Sequence, residues 1–326
     1  HVLYLNRHMG AQACSQKDGC CGSKDNNELQ HLTAVDPEGT QLDDAPKYPD
    51  PEFNSRGIED DFSDNPVRYF DRELKELEEI RRGARVVQND VTYRFRNGST
   101  YIGQWKNGMR NGHGKIVWSD GASYAGQWLN NEASGKGRFK HNDDDMYIGQ
   151  WSNSMANGLG TYYHEGTTTY RGRWRADLQE GYGVEVWREG SQYEGEFYDG
   201  QKHGYGCYYW DDGSEYHGRW QNNVINGCGF YFASDGRSYR GQWLDSVING
   251  VGQYVWPGGR EYNGQYHSDQ KHGFGIFRWP DGRLYEGFWS YGKTSGHGRY
   301  TTKEGQIYVK DGEPLSQAED FPPTRE

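Results

Sequence analysis

The sequence predicts an all-β protein: an elongated, single-layer antiparallel meander of β-hairpins, preceded by one amphipathic helix and a disordered N-terminal segment. Three observations carry this. Tyrosine recurs at 101, 124, 147, 170, 193, 216, 239, 262, 285 and 308, always 23 residues apart, and a fixed period of that length marks a repeat architecture. From Tyr101 to Tyr285 each tyrosine is followed at +2 by glycine and at +4 by an aromatic residue: Trp105, Trp128, Trp151, Trp174, Phe197, Trp220, Trp243, Tyr266 and Trp289. Each of these units also has Gly-x-Gly at +11 and +13, from Gly112 and Gly114 to Gly296 and Gly298.

Residues 1–64 are polar, rich in Asp, Glu, Asn, Gly and Ser, with Pro46, Pro49 and Pro51 close together. Such a segment buries too little apolar surface to order itself, so it is read as disordered. Asp64-Asn65-Pro66 then starts a helix over 65–83, with Val67, Phe70, Leu74, Leu77 and Ile80 at helical spacing and Gly83 as its stop. Asp71 with Lys75 and Glu78 with Arg82 support it at i,i+4. Its apolar stripe is expected to dock on the first hairpin, near Tyr93, Phe95 and Tyr101, as a cap of the array.

The array spans 93–312, nine full units plus a partial one. Tyr, Gly and Trp at 0, +2 and +4 share one face of a strand. The two glycines share parity with +15 and with the +17 position that holds Trp118, Trp187, Trp210, Trp256 and Trp279, and Glu185 breaks the aromatic rule at +15. Glycine removes the Cβ that would keep a ring from lying flat on the sheet. Lys106-Asn107-Gly108 and pairs such as Asp120-Gly121 supply the positive φ of tight hairpins. Asp144 and Thr167 replace the +20 turn glycine, with Gly166 one residue away, so these two turns are expected to differ in shape. Eighteen strands about 4.8 Å apart would make a ribbon on the order of 90 Å long. The tail 313–326, with Pro314, Pro322 and Pro323, reads as disordered.

Tyr-x-Gly-x-Trp-x-x-Gly-x-x-x-Gly-x-Gly at period 23, as at Tyr101-Ile102-Gly103-Gln104-Trp105-Lys106-Asn107-Gly108-Met109-Arg110-Asn111-Gly112-His113-Gly114, resembles the MORN (membrane occupation and recognition nexus) repeat family. The resemblance covers 101 to about 308. It implies a twisted, grooved antiparallel sheet used for protein scaffolding, sometimes at membranes or in cilia and other cytoskeletal assemblies.

Net charge is -11, with 36 Lys+Arg against 47 Asp+Glu, which argues against nucleic acid as a partner. The excess lies in the flanks, and residues 93–312 are electroneutral. Arg171, Arg173 and Arg175 share one strand face opposite Tyr170, Gly172 and Trp174. They are a candidate anion or phosphoinositide patch, or a solvated outer face. Met9-Gly10-Ala11-Gln12-Ala13-Cys14-Ser15 resembles an N-myristoylation start, with Ser one place late and eight residues ahead of Met9, which we read as the start. Cys14, Cys20 and Cys21 would take palmitate as the second anchor beside Gly10, the alternative being free surface thiols or a weak metal cluster.

No phosphate loop or zinc spacing occurs, Asp143-Asp144-Asp145 reads as a solvated turn, and Cys207 and Cys228 fall at different repeat offsets. No cofactor, metal or catalysis is expected. The reading is a non-enzymatic scaffold or adaptor, cytoplasmic and peripheral at the plasma or another internal membrane through acyl chains. Tyr101, Trp105, Tyr124, Trp128, Tyr147, Trp151, Tyr170, Trp174, Tyr216, Trp220, Tyr239, Trp243, Tyr285 and Trp289 would floor a groove for a protein partner, either an amphipathic helix or an extended peptide, while also holding the sheet. The alternatives are a phosphoinositide-binding module, a structural component of cilia or cytoskeleton, and a regulatory repeat region related to phosphatidylinositol phosphate kinases. The terminal hairpin at Tyr308 could pair two copies into a homodimer.

Overall fold

The computed structural model describes residues 66–310, which form two compact units. The N-terminal segment 1–64 and the tail 313–326 lie outside the described residues. One unit holds residues 66–234 with 244–247, and the other holds 235–243 with 248–310. The first contains the helices α1 (Pro66–Asp71) and α2 (Leu74–Arg81), the short strand Tyr93–Arg94, and an antiparallel meander from Thr100–Lys106 to Val224–Phe232 in which each strand pairs with the next. The second continues the pattern in its own strands, from Val247–Trp256 to Ile307–Lys310. The antiparallel meander expected from the repeat is therefore the observed fold.

One hairpin explains the others. Tyr101 faces Ile116, Gly103 faces Gly114 and Trp105 faces Arg110, with a bulge between Gly103 and Trp105. Alternation keeps Tyr101 and Trp105 on one face, and the bulge sets three residues of the second strand, 111–113, opposite Gln104 alone. Its side chain closes the local hydrogen bonding: Gln104 Oε1 accepts from the His113 amide at 2.9 Å, and Gln127 Oε1 does the same for Lys136 at 2.7 Å. The strands join through two residues at positive φ, as at Asn107 (51°) and Gly108 (70°). The structure extends this turn beyond Asn-Gly sequences, since Ala176 (49°) and Asp177 (69°) adopt it too.

The second turn residue also ties one repeat to the one before. Asn131 Oδ1 accepts from the Arg110 amide at 2.7 Å, Asp177 Oδ1 from Ala156 at 2.6 Å, Asn223 Oδ1 from Lys202 at 2.8 Å and Asp269 Oδ1 from Ile248 at 2.7 Å. In the turns without the +20 glycine, Asp144 takes φ 76° itself, and Gly166 takes φ 65° in place of Thr167. Asp145 corrects the reading of its triplet as solvated. It is buried, accepting from the Tyr162 hydroxyl at 2.5 Å and the Glu165 amide at 2.8 Å.

The predicted helical segment is broken at Arg72-Glu73, where Glu73, just ahead of α2, turns its carboxylate inward. The break changes which residues face the sheet: Tyr69, Phe70, Leu77 and Ile80 are buried, whereas Leu74 is 51% exposed. Gly83 ends the segment at φ 81°, its amide bonded to the Ile80 carbonyl at 2.9 Å. Glu78 pairs with Arg82 at 2.9 Å as the i,i+4 spacing suggests, and with Arg81 as well.

Candidate protein-binding face

The face built by 0, +4, +9, +15 and +17 is a continuous layer of rings within each unit. Every repeat tyrosine from Tyr101 to Tyr285 donates its hydroxyl to the carbonyl three residues on, between 2.9 and 3.3 Å. The ring thereby lies across the paired glycines. A Cβ added at Gly114 would meet the Tyr101 hydroxyl at 2.2 Å. Each tyrosine stands edge-on to neighbouring +4 rings, as Tyr124 does to Trp128 (5.0 Å) and Trp151 (5.1 Å), and Tyr262 to Tyr266 (5.1 Å) and Trp289 (5.3 Å). Edge-to-face pairs add to the area buried. Burial holds the Tyr101, Tyr124, Tyr147, Tyr170 and Tyr239 hydroxyls above their ordinary range.

The chain seats its own helical segment on this layer. Phe70 packs edge-on against Trp118 (5.5 Å), Tyr124 (5.3 Å), Trp128 (5.7 Å) and Trp151 (5.7 Å), while Tyr69 packs against Trp118 (5.0 Å) and Phe139 (5.3 Å). Arg72 bridges to Asp120 at 2.6 Å. Docking was expected at Tyr93, Phe95 and Tyr101. The structure places α2 at this hairpin, with Glu76 accepting from the Tyr93 hydroxyl and the Arg96 amide, both at 2.9 Å, and with Ile80 and Arg81 against the turn at Gly108. The aromatic pair of α1 reaches the third repeat.

Cations are embedded in the same layer at +9. Arg110 is buried over the Trp128 ring at 4.1 Å, with Glu73 at 4.0 Å, and burial lowers its guanidinium to about 10. Lys202 lies over Trp187 at 4.8 Å and pairs with Glu185 at 3.0 Å, which accounts for the glutamate that breaks the aromatic rule. Lys271 sits among Trp256, Phe277 and Trp289 at 5.1 to 5.2 Å, and burial lowers its ammonium to about 7. None of the three was singled out from sequence. The +9 column was the signal, since Arg110, Lys202 and Lys271 stand there among small and apolar residues such as Ala133, Ala156, Ile225 and Ile248, on the parity of the +15 and +17 rings.

Of the residues expected to floor a groove, Tyr101, Tyr124, Trp128, Tyr147, Trp151, Tyr170, Trp174, Tyr216, Trp220, Tyr239, Trp243, Tyr285 and Trp289 are all buried, and Trp105 is half-buried. They hold the sheet. Trp128 Nε1 donates to the Gly114 carbonyl at 3.1 Å and Trp151 Nε1 to Gly137 at 3.2 Å, each reaching the preceding repeat. Trp105, in the first repeat, lacks that acceptor, and its Nε1 is unbonded. Tyr193, Phe197, Tyr262 and Tyr266 belong to the same layer.

Arg171, Arg173 and Arg175 share the opposite, exposed face, and Arg175 is engaged by Glu180 at 3.1 Å and Asp199 at 3.7 Å. That outer face also exposes Leu159, Tyr182 and Tyr205. Gly10, Cys14, Cys20 and Cys21 lie outside the described residues. Among the described residues no helix is long and apolar enough to cross a membrane, and no group of three His, Cys, Asp or Glu side chains is placed to hold a metal.

Comparison with solved structures gives loose matches. The SAS-4 (dCPAP) TCP domain of Drosophila melanogaster, in complex with a proline-rich motif of Ana2 (dSTIL), is 12% identical, with TM-score 0.31 over 48% of this chain and 84% of that one. The G-box domain of the microcephaly protein CPAP is 13% identical, with TM-score 0.35 over 61% and 98%. The TCP10 domain of Danio rerio CPAP is 12% identical, with TM-score 0.25 over 70% and 98%. No curated protein matches the chain. The MORN repeat model, in contrast, matches nine consecutive segments, 101–123, 124–146, 147–168, 170–192, 193–215, 216–237, 239–259, 262–282 and 285–307. These segments take up more than half of the chain and coincide with the hairpins whose tyrosine, glycine and tryptophan contacts build the ring layer, so the chain belongs to the MORN-repeat family.

Proposed function

We propose that this protein is a non-enzymatic scaffold whose aromatic layer receives amphipathic helical segments of partner proteins. One observation carries the reading: the layer already seats a helix, with Tyr69 and Phe70 against the rings of the first three repeats and Glu73 beside a buried cation. The seat combines ring edges, which reward apolar side chains, with an embedded charge that sets register. The test separates helix from layer. A full-length Phe70→Ala variant is titrated with a fluorescent peptide of residues 66–82, followed by anisotropy. Saturable binding that is lost when the peptide itself carries Phe70→Ala is expected, and absence of binding by the wild-type peptide refutes the reading.

A second proposal rests on the sequence at Gly10, Cys14, Cys20 and Cys21. We infer that acylation there tethers the scaffold to a membrane, because a myristoyl chain needs a second anchor for stable attachment and three cysteines stand close by. Membrane fractionation of Gly10→Ala, and of the triple Cys→Ser variant, is expected to move the protein to the soluble fraction. No movement in either variant ends the proposal.

A further inference from the structure

Cys207 carries a free thiol on the outer face of the strand Gln201–Tyr209, away from the ring layer. In register it stands between Glu194 on one neighbouring strand and His217 on the other. Its Sγ lies 3.2 Å from His217 Nδ1, and His217 Nε2 lies 2.6 Å from Glu215 Oε2. Glu215 and His217 are two residues apart on one strand and so share a face. The Tyr209 ring stands edge-on to the imidazole at 5.6 Å. All three members of the chain from thiol to carboxylate are half-buried, so solutes reach them.

This is a nucleophile, a proton donor and an orienting carboxylate in line. The hydrogen bonds to Cys207 and Glu215 hold the His217 imidazole protonated, up to about 9. The thiolate is the reactive form of a cysteine, and His217 stands within hydrogen-bond distance of the sulfur. The surroundings limit what it attacks. Strand N–H groups beside Cys207 are spent on the sheet, so no pair of donors is free to hold the oxyanion of an acyl-transfer intermediate. The carboxylates of Glu194 and Glu215 flank the thiol and repel anionic electrophiles. What remains is a small, neutral electrophile whose leaving group takes one proton.

We propose that Cys207 is a peroxide-reactive thiol, oxidised by hydrogen peroxide to a sulfenic acid, with His217 as proton donor and Glu215 as the residue that positions it. The thiolate attacks one peroxide oxygen, the S–O bond forms and the O–O bond breaks. The departing hydroxide takes the proton from His217 and leaves as water, so sulfur is oxidised and peroxide reduced. Glu215 then faces a neutral imidazole.

The test is a rate and its pH profile on the full-length chain, using hydrogen peroxide as oxidant, dimedone to trap sulfenic acid, and peptide-resolved mass spectrometry to separate Cys207 from the other cysteines. A positioned proton donor for the leaving oxygen should give Cys207 a gain of about tenfold or more over free cysteine. The ratio of the wild-type rate to that of free cysteine should fall as pH rises through about 9, where His217 loses the proton it donates. His217→Asn should fall to the free-thiol rate and climb with pH as an ordinary thiol does. Asn263 holds the same repeat position, so the variant fits the sheet. Glu215→Gln should lie between, with its fall displaced to lower pH because the carboxylate no longer holds the His217 proton, a change that a merely structural role would not produce. Iodoacetamide should outpace iodoacetate at Cys207 by more than at free cysteine. A wild-type Cys207 that reacts at the free-thiol rate, or an unchanged His217→Asn profile, overturns the proposal.

Discussion

The Glu73 carboxylate lies 4.0 Å from the Arg110 guanidinium, and neither side chain reaches solvent. Glu73 also accepts from the Ser99 hydroxyl at 2.9 Å, the Asn97 amide at 2.7 Å and Trp118 Nε1 at 3.3 Å. It is the pin between the helical segment and the first repeats. Removing one member of a buried ion pair leaves the other charge uncompensated, which costs about 3–5 kcal/mol. Glu73→Gln and Arg110→Met should each lower the urea midpoint, and the double variant should lose clearly less than the two losses added together. Additive losses would show that the charges do not act on each other.

Phe70 touches rings from three repeats, Trp118, Trp128 and Trp151 among them, so Phe70→Ala removes more than a local contact. Truncating a buried phenylalanine costs roughly 3–5 kcal/mol. Hydrogen exchange should show faster opening of α1, α2 and the hairpin Thr100–Val117, with strands from Thr168 onward unchanged. Protection that stays the same across α1 would mean that the segment is held by its salt bridges alone.

Two glycines separate steric from conformational need. At Gly206 an added Cβ would meet the Tyr193 ring at 2.4 to 2.6 Å, whereas at Gly121 nothing lies within 4 Å and only φ 96° resists substitution. Gly206→Ala should cost about 3 kcal/mol or more by overpacking. Gly121→Ala should cost about 1 kcal/mol in strain. Equal losses in denaturant unfolding would contradict the flat seating of the tyrosine ring.

Burial raises the Asp177 carboxyl from 3.8 to about 6. Its folded value exceeds its unfolded one, so the stability it contributes is complete below pH 3.8 and is lost as pH rises through 6, by roughly 3 kcal/mol at most. Asn131 and Asn223 hold the same turn position and make the same bond to the preceding repeat. Asp177→Asn should therefore raise Tm at pH 7, and the gain should shrink toward pH 4. A gain independent of pH would assign the effect to something other than ionisation.

What the sequence disclosed was whatever recurs. Tyr101, Gly103 and Trp105 share parity because strands alternate, and the structure places them on one face with Gly114 paired opposite Gly103. What it withheld were relations between positions that occur once. Glu185 looked like a broken rule until Lys202 stood opposite it, and Asp145 looked like a solvated turn until Tyr162 and Glu165 closed over it. The seat of α1 depends on contacts such as Arg72 with Asp120, 48 residues apart, which no local period encodes. The +7 side chains were visible only as turn formers, yet their second role is a bond to the neighbouring repeat.

That bond spans 21 residues, and within each unit the tyrosine-to-tryptophan ladder likewise joins only adjacent repeats. Contacts this local keep contact order low, and loop-closure entropy hardly slows their formation. Folding of the repeats can start at any hairpin and spread to its neighbours, and loss of one hairpin weakens only those beside it. The helical segment is the exception, since Phe70 and Glu73 tie the earliest described residues to three successive hairpins. It turns the first repeats into one cooperative block, the last part of that unit to melt.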